Sequence, residues 1–192
     1  IQVALPAGAT VLFGANGSGK TSFLEAIHLL AVGRSFRTHQ SKPVIQHGVA
    51  HCRVVGEVQR GRRSIVMGLE KHRDGGVKAR VGGENVPSLS ELALHLPLVL
   101  LDTDGLGIVN GPPEGRRRLL DGTLFHVEQG FLSQWKRYAL AVRQRNSGLR
   151  RGILSSDKAW RQEIAETGTL LTQQRQAVAE KLADELARLA PA

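Results

Sequence analysis

The chain has few of the residues on which disulfide frameworks and zinc sites depend. It contains one cysteine, Cys52, and seven histidines scattered over 192 residues. A single cysteine excludes an internal disulfide and favours a reducing compartment, so we expect a cytoplasmic protein. The histidines show no metal-ligand spacing, which argues against a structural zinc site. Cys52 stands in the strand-like run Cys52–Val55, where we expect a buried thiol rather than a reactive one.

Long apolar runs are also absent from the sequence, and its first residues do not have the charged-then-apolar pattern expected of a signal peptide. No run of about eighteen apolar residues occurs, which predicts no membrane segment. Apolar residues make up 41% of the chain, enough for a globular core. The formal net charge is +9, a balance typical of nucleic-acid partners. A basic proteome or a piece of a longer protein without its acidic part would give the same excess, so charge alone does not decide.

A complete phosphate-binding loop of the form G-x-x-x-x-G-K-[ST] runs from Gly14 to Thr21. Glycines let the backbone wrap a triphosphate closely and point successive N–H groups at it. Lys20 is expected between the β- and γ-phosphates of ATP as the catalytic cation, and the Thr21 hydroxyl on Mg²⁺. The expected nucleotide-binding residues are Gly14, Ala15, Asn16, Gly17, Ser18, Gly19, Lys20, Thr21 and Ser22.

The flanks of this loop agree with that interpretation. The apolar run Ala9–Phe13 predicts a buried strand before it, and Phe23, Ile27 and Leu30 repeat at helical spacing after it. Ile1–Leu5 predicts another strand, already in mid-course at the first residue. This start, and a last helix that runs straight into Ala190–Ala192, lead us to expect a piece of a longer protein.

The first part of the chain mixes strand and helix patterns. Three β-rich runs separated by glycine-containing turns predict an antiparallel meander: 52–58, 63–69 and 77–81. Ser88 and Glu91 have the spacing of a capping box before a helix at 90–95, which Pro97 stops. Leu98–Leu101 predicts one more buried strand.

After Asn110–Pro113 the sequence becomes helical. Two long apolar stripes predict two helices packed on each other. The first comprises Phe131, Trp135, Tyr138, Val142 and Leu149; the second comprises Trp160, Ile164, Leu171, Val178, Leu182, Leu186 and Leu189. We therefore expect an α/β lobe at 1–110, part of a P-loop ATPase head with a mixed sheet, followed by an α-helical arm or lid subdomain at 111–192.

Asp102 follows four apolar residues and so imitates the strand-end carboxylate that holds magnesium in P-loop enzymes. The residues after it, Thr103–Leu106, contain no adjacent glutamate that could activate water. An aspartate at a strand end is often a turn former. The sequence pattern therefore favours a turn-forming role for Asp102 over a role in binding magnesium.

Several stretches together resemble the RecF family of recombination mediators, which is related to the SMC heads of the ABC ATPase class. They are the phosphate loop, Leu24–Ile27, Gly33–Arg37, Asn110–Pro113, Arg116–Asp121 and Gln144–Arg150, in the order and approximate spacing of that family. The resemblance covers nearly the whole chain. The phosphate loop is common to many families, whereas the last two stretches are much more specific.

The resemblance implies a bilobal ABC-type head that dimerises around two ATP molecules, binds single-stranded, duplex or gapped DNA, and works with RecO and RecR. It also implies a signature motif and a water-activating acidic pair, neither of which is in this sequence. We therefore expect a parent protein with weak DNA-dependent ATPase activity and an inactive isolated chain. Thr103 and Leu119 depart from the family's usual proline and aromatic, which weakens any γ-phosphate sensor near Asp102 to Asp104.

The DNA surface is expected to include arginines, because guanidinium groups bind phosphate bidentately. The candidates are Arg34, Arg37, Arg116, Arg117 and Arg118. Arg117 could equally pair with Glu114 or Asp121 on its own helix. Two other functions stay open: a P-loop kinase for a small substrate, with the basic stretch as a phosphate-clamping lid, and a non-catalytic interaction module that uses the helical pair as a docking surface.

Overall fold

The computed structural model describes residues 2–38, 40, 42–101, 107–153, 155 and 157–189. The chain divides into two compact units, residues 1–99 and residues 100–192. The domain boundary predicted between residues 110 and 111 lies eleven residues further along the chain than this division between residues 99 and 100. Asp102, Thr103 and Asp104, and the terminal Ala190–Ala192, fall outside the described residues.

Helix α1 (Lys20–Val32) follows the phosphate loop, as the spacing predicts. Its buried residues are Glu25, near the middle of the helix, and Leu29, Leu30 and Ala31 in its second half. The helix ends at Gly33, whose left-handed backbone (φ 73°) lets its N–H bond to the Leu29 carbonyl. A Cβ at Gly33 would lie 2.8 Å from the Leu89 side chain, so glycine is required both by the turn and by the packing.

The sheet of this unit is the predicted antiparallel meander. Its strands are β1 (His51–Arg60), β2 (Arg63–His72), β3 (Val77–Val81) and β4 (Glu84–Asn85), in the order β1-β2-β3-β4. Alternate side chains of β2 are buried, Met67 and Leu69 among them, and they form one core with Leu29, Leu30, Ala79 and Leu92. The three β-rich runs of the sequence are therefore confirmed as strands, and one face of the sheet packs on helix α1.

The opposite face of the sheet carries paired charges. Arg53 on β1 donates two hydrogen bonds to Glu70 Oε2 on β2, at 2.8 and 2.5 Å, and His72 Nε2 lies 2.8 Å from Glu70 Oε1. The hydrogen bonds from Arg53 hold the pKa of the Glu70 carboxyl below its ordinary value. Arg80 on β3 bonds to the Asn85 side chain at 3.0 Å. The charged side chains of Arg53, Glu70 and Arg80 on this face thus each have a hydrogen-bonding partner on the adjacent strand.

Helix α2 (Ser90–His95) has the predicted limits, but its start differs from the predicted capping box. No side chain caps the helix; the Ser88 hydroxyl lies 2.7 Å from the Ser90 hydroxyl, and Glu91 reaches Ser88 only through its backbone N–H. The Ser88 hydroxyl, which would cap the helix in a capping box, instead bonds to the neighbouring Ser90 hydroxyl.

Three of the predicted strands do not form. Residues 2–5, 9–13 and 98–101 do not form strands, and apart from the half-buried Leu98 their apolar side chains are exposed: Phe13 is 91% exposed and Leu101 83%. A strand is stable only when a neighbour satisfies its N–H and C=O groups, and no described segment pairs with these runs. The prediction of buried strands there is wrong for this structure because hydropathy reports a tendency to be buried, not the presence of a partner.

The second unit is helical. It contains α3 (Gly107–Asn110), α4 (Pro113–Val127), α5 (Phe131–Arg150) and α6 (Asp157–Leu189). The core is formed by Leu124, Phe131, Leu171 and Val178, with Tyr138 and Leu182 packed against it. The two predicted long helices and their mutual packing are confirmed.

The apolar stripes of these helices are narrower than predicted. Trp135 and Leu149 are each 41% exposed, and Leu186 and Leu189 are 65% and 81% exposed. The less exposed positions of α6 include Ile164, Thr167, Leu171, Gln174 and Val178, at alternating spacings of three and four residues. Two packed helices share a narrow seam of this kind, so apolar residues beside it stay in solvent.

One ion pair joins helices α4 and α6. Arg175 donates to both oxygens of Asp121, at 2.7 and 2.9 Å, and each side chain is 23% exposed. The hydrogen bond to Asp121 raises the pKa of Arg175. The pair is therefore bidentate, charge-assisted and largely shielded from solvent, the kind that contributes most to stability.

We predict that Asp121→Asn lowers the free energy of unfolding of the helical unit by about 2 kcal/mol, because it leaves a half-buried guanidinium without its counter-charge. The matched control is Glu163→Gln, which breaks the pair with the 62% exposed Arg137 and should cost less than about 1 kcal/mol. Both tryptophans, Trp135 and Trp160, lie in this unit, so their fluorescence in a urea titration reports on it alone. Equal losses in the two variants would contradict the prediction.

Candidate nucleotide-binding site

The phosphate loop has the closely folded backbone that its glycines predict. Gly14, Gly17 and Gly19 all have positive φ angles, of 152°, 82° and 92°. The Ser18 N–H bonds to the Ala15 carbonyl at 3.2 Å, which closes a turn at the centre of the loop. A Cβ on Gly14 would lie 2.9 Å from Ser18 Oγ, so a larger residue there would displace the Ser18 hydroxyl as well as strain the backbone.

Lys20 holds the two ends of this loop together. Its Nζ donates to the carbonyl oxygens of Gly14 and Ala15, at 2.7 and 2.8 Å. An ammonium has three N–H donors, so one remains available to a phosphate oxygen while two keep the loop closed. The cation is therefore placed beside the loop before any anion is considered.

The N terminus of helix α1 faces the same loop. Gly19 is the N-cap residue in a left-handed conformation, and no side chain caps the helix. The first backbone N–H groups of a helix have no partner within the helix, so they attract anions. Thr21 and Ser22, both exposed, stand in this first turn. All the predicted nucleotide-binding residues therefore lie together, from Gly14 to Ser22.

A second loop, residues 33–38, is tied to helix α1 through a buried carboxylate. The hydroxyl of Ser35 donates to Glu25 Oε1, and both side chains are buried. The same Ser35 oxygen accepts the N–H groups of Arg37 and Thr38, at 2.9 and 3.2 Å. Arg37 also lies 3.6 Å from Glu25 Oε2. One serine thus fixes the loop to the helix that starts at the phosphate site.

Two further contacts hold this loop. His28 Nδ1 lies 2.7 Å from the Arg34 carbonyl oxygen, and its ring packs edge-on against Phe36 with centroids 5.4 Å apart. The buried Lys71 on β2 donates to the Gly33 carbonyl at 3.2 Å. The loop is therefore attached to both the helix and the sheet.

Sequence reasoning missed Glu25, Ser35 and Lys71 as positioning residues. A glutamate in the middle of an apolar helix and a serine in an arginine-rich loop are each ordinary on their own. Their link spans ten residues, and that of Lys71 to Gly33 spans 38. A usable signal was the charge itself: Glu25 stands beside the apolar positions of α1, where an unpaired carboxylate would be costly.

The predicted DNA-contacting arginines fall in different units. Arg34 and Arg37 are exposed and lie in the loop after α1; Arg37 remains 56% exposed despite its pairing with Glu25. Arg116, Arg117 and Arg118 are exposed on α4 in the helical unit. Arg116 donates to the carbonyls of Ile108 and Gly111, so part of its hydrogen-bonding capacity is used within the unit.

Arg117 does not make the local pair that the helical spacing allowed. Glu114 lies 3.3 Å from Arg118, and Asp121 is occupied by Arg175. Within the described ranges no acidic side chain pairs with Arg117, so its guanidinium remains available.

Cys52 is half-buried, and burial raises the pKa of its thiol, which agrees with the expected unreactive cysteine.

The sequence is similar to those of known proteins. Residues 9–59 match a family described as an AAA domain, putative AbiEii toxin, Type IV TA system. The DNA replication and repair protein RecF of Stutzerimonas stutzeri (strain A1501) is 47% identical over 158 residues, which are 81% of this chain and 43% of that protein. RecF of Marinomonas sp. (strain MWYL1) is 42% identical over 90% of this chain and 48% of its own length.

The chain is a homologue of the RecF proteins. The resemblance predicted from its motifs is therefore confirmed, and the chain spans about half the length of the curated RecF relatives that it matches.

The fold comparison agrees. The solved structure of the recombination mediator protein RecF-ATP in the RecFOR pathway has a TM-score of 0.82 at 23% identity, and covers 92% of this chain and 49% of its own. A structure from work on ATP-driven dimerization and DNA-stimulated activation of SMC ATPases has a TM-score of 0.50 over 63% of this chain. The predicted fold class, a P-loop ABC-type ATPase head followed by a helical part, is confirmed.

We predict that Ser35→Ala loosens the loop at residues 33–38, because the N–H groups of Arg37 and Thr38 lose their acceptor. Hydrogen exchange at these two amides should become about tenfold faster, the effect of losing one hydrogen bond of ordinary strength. Thr38→Ala is the matched control, since among the described residues the Thr38 hydroxyl accepts from the Gln40 N–H, at 3.1 Å, and not from Arg37. Faster exchange at Arg37 in both variants, or in neither, would refute the role of Ser35.

Proposed function

We propose that the chain is the nucleotide-binding part of an ATP-dependent DNA-binding protein of DNA repair and replication restart. The observation that carries this proposal is the loop at Gly14–Thr21, closed by Lys20 at the N terminus of helix α1. The RecF relatives, named as DNA replication and repair proteins, support the choice of pathway. A cytoplasmic location is part of the same proposal.

The loop suits a magnesium–nucleotide complex in several respects. A Cβ at Gly17 or Gly19 would meet no atom within 4 Å, so the space beside these two glycines is open. Gly14 to Ser22 would surround the phosphates with N–H groups, and the third donor of Lys20 would reach an oxygen of the β- or γ-phosphate. The exposed Thr21 hydroxyl would bind Mg²⁺ as a hard oxygen ligand. Bound ATP supplies a γ-phosphate whose charge a partner can detect.

DNA contact is proposed for the exposed arginines. Arg34, Arg37, Arg117 and Arg118 offer guanidinium groups to solvent, and the net charge of +9 adds a general attraction for a polyanion. Arg116 belongs to the same set through its position on α4. Contacts of this kind position DNA through its backbone and do not read its sequence.

A nucleotide switch acts only if ATP binds one state better than the other. We propose that ATP favours a homodimer of heads in which the second subunit touches the γ-phosphate. The SMC ATPases among the structural neighbours are described as undergoing ATP-driven dimerization. RecR and RecO are the proposed mediator partners, in keeping with the RecFOR pathway to which the RecF neighbours belong.

Lys20→Ala should abolish MgATP binding, because it removes both the phosphate cation and the two hydrogen bonds that close the loop. Calorimetry should show a loss of at least about 100-fold, or about 2.7 kcal/mol, while the exposed control Lys78→Ala on β3 should bind as the wild type does. MgATP binding should also tighten when gapped DNA is present. Binding that is unaffected by DNA would instead favour the small-substrate kinase, and no binding by the folded wild type would favour the interaction module.

Thr21→Ala is expected to remove the magnesium dependence of ATP binding, because the variant lacks the proposed oxygen ligand. Calorimetry with and without Mg²⁺ should give equal affinities for Thr21→Ala. Thr21→Ser, which keeps the hydroxyl, should retain the difference. A variant Thr21→Ala that still needs magnesium would show that another group holds the ion.

A further inference from the structure

The hairpin of β1 and β2 projects beyond the rest of its sheet. Strand β3 pairs with β2 only from Met67 onward, and the Gly82 N–H bonds to the Val66 carbonyl where the β3–β4 turn begins. Residues 58–65 are paired only with each other. They form a two-stranded ribbon that extends on the order of 10 Å past the third strand.

The base of this ribbon is fixed. Val58 and Ile65 are directly opposite each other across the two strands, and both pack against the core that contains Leu29 and Met67. The turn has two central residues, Gly61 and Arg62, and only Gly61 has a positive φ, of 60°, as a type II′ turn requires. The tip is therefore short and is held by packed side chains at its base.

The tip carries three arginines: Arg60, Arg62 and Arg63, all exposed. No acidic side chain in the described parts of the chain pairs with any of them. Glu57, which immediately precedes the ribbon on β1, accepts a hydrogen bond from Ser64 instead. This differs from the paired arginines elsewhere, such as Arg53 with Glu70.

This arrangement opposes stability. Arg60 and Arg63 are direct cross-strand partners, so their side chains emerge on the same face of the ribbon. Like charges directly opposite each other destabilise a strand pair, and Arg62 in the turn adds a third positive charge. This local arrangement is unfavourable, and no ion pair among the described residues compensates for it, which indicates a partner outside the unit.

We propose that this hairpin tip, Arg60 to Arg63, is a binding site for the phosphate backbone of duplex DNA. Three guanidinium groups on a projecting support suit a polyanion with regularly spaced phosphates, because each can form bidentate contacts. A two-stranded ribbon also fits the width of the major groove. The inference rests on the proposed DNA-binding function and adds to it a site separate from the arginines after α1 and on α4.

The test compares three triple variants for binding to a fluorescein-labelled, mixed-sequence DNA duplex by anisotropy over a series of salt concentrations. R60Q/R62Q/R63Q should weaken binding by roughly 10- to 100-fold and reduce the slope of log affinity against log salt by about 2 to 3, since each lost phosphate contact contributes about 0.9. R60K/R62K/R63K keeps the charges and should keep most of the slope. K136Q/K158Q/K181Q removes the same charge from exposed positions on α5 and α6 and should change both values little.

Each other result has a definite meaning. If the wild type binds the duplex and R60Q/R62Q/R63Q binds it equally well, the hairpin site is overturned and the proposed function stays intact. Equal losses of affinity in R60Q/R62Q/R63Q and K136Q/K158Q/K181Q would show that the effect comes from net charge alone, and would also overturn the hairpin site. In a parallel titration with a fluorescein-labelled poly-glutamate peptide, a loss of peptide binding by R60Q/R62Q/R63Q without a loss of duplex binding would overturn the DNA site and assign the tip to an acidic protein. Absence of duplex binding by the wild type would overturn both the site and the proposed DNA-binding function.

Discussion

The packing of helix α1 on the sheet is the constraint on which the phosphate site depends. Leu29 and Leu30, in the second half of the helix, are buried against Met67 and Leu69 of β2, while Thr21 and Ser22 in the first turn stay exposed. Burial of these aliphatic side chains contributes on the order of 2 kcal/mol each. A helix anchored at one end presents the N–H groups of the other end to solvent. The site is therefore rigid without covering its own ligand surface.

The same helix passes this order to the loop that follows it. Glu25 is buried beside the core residues, where a carboxylate is tolerated only if it is hydrogen-bonded. Its need for a partner fixes Ser35, and Ser35 in turn fixes the backbone of Arg37 and Thr38. Two exposed arginines, Arg34 and Arg37, are thus carried on a loop whose backbone is ordered, although their side chains are not buried. Such a loop limits the entropy that a phosphate ligand must remove on binding.

Local patterns were predicted well from the sequence, and distant contacts were not. The phosphate loop, the meander at 52–81 and the helix at 90–95 depend on residues close together in the chain, and period and glycine placement reveal them. The Arg175–Asp121 pair joins residues 54 apart, which no spacing rule detects. The prediction that Leu186 and Leu189 belong to a packed helix face was wrong for a related reason. Apolar periodicity indicates which face of a helix is apolar, but the position of the neighbouring helix decides which part of that face is buried.

Residues 9–13, predicted as a strand, do not form one, so the phosphate loop is not preceded by a strand of the sheet. Val11 and Phe13 are 79% and 91% exposed, and within the described residues no strand pairs with the backbone that leads into Gly14. The two hydrogen bonds from Lys20 to the Gly14 and Ala15 carbonyls then become the direct link between the start of the loop and helix α1. Lys20 consequently has two roles, in closing the loop and in binding phosphate. An arginine would not combine them equally well, because its planar fork cannot direct donors to two successive carbonyls and a phosphate as freely as a rotating ammonium can.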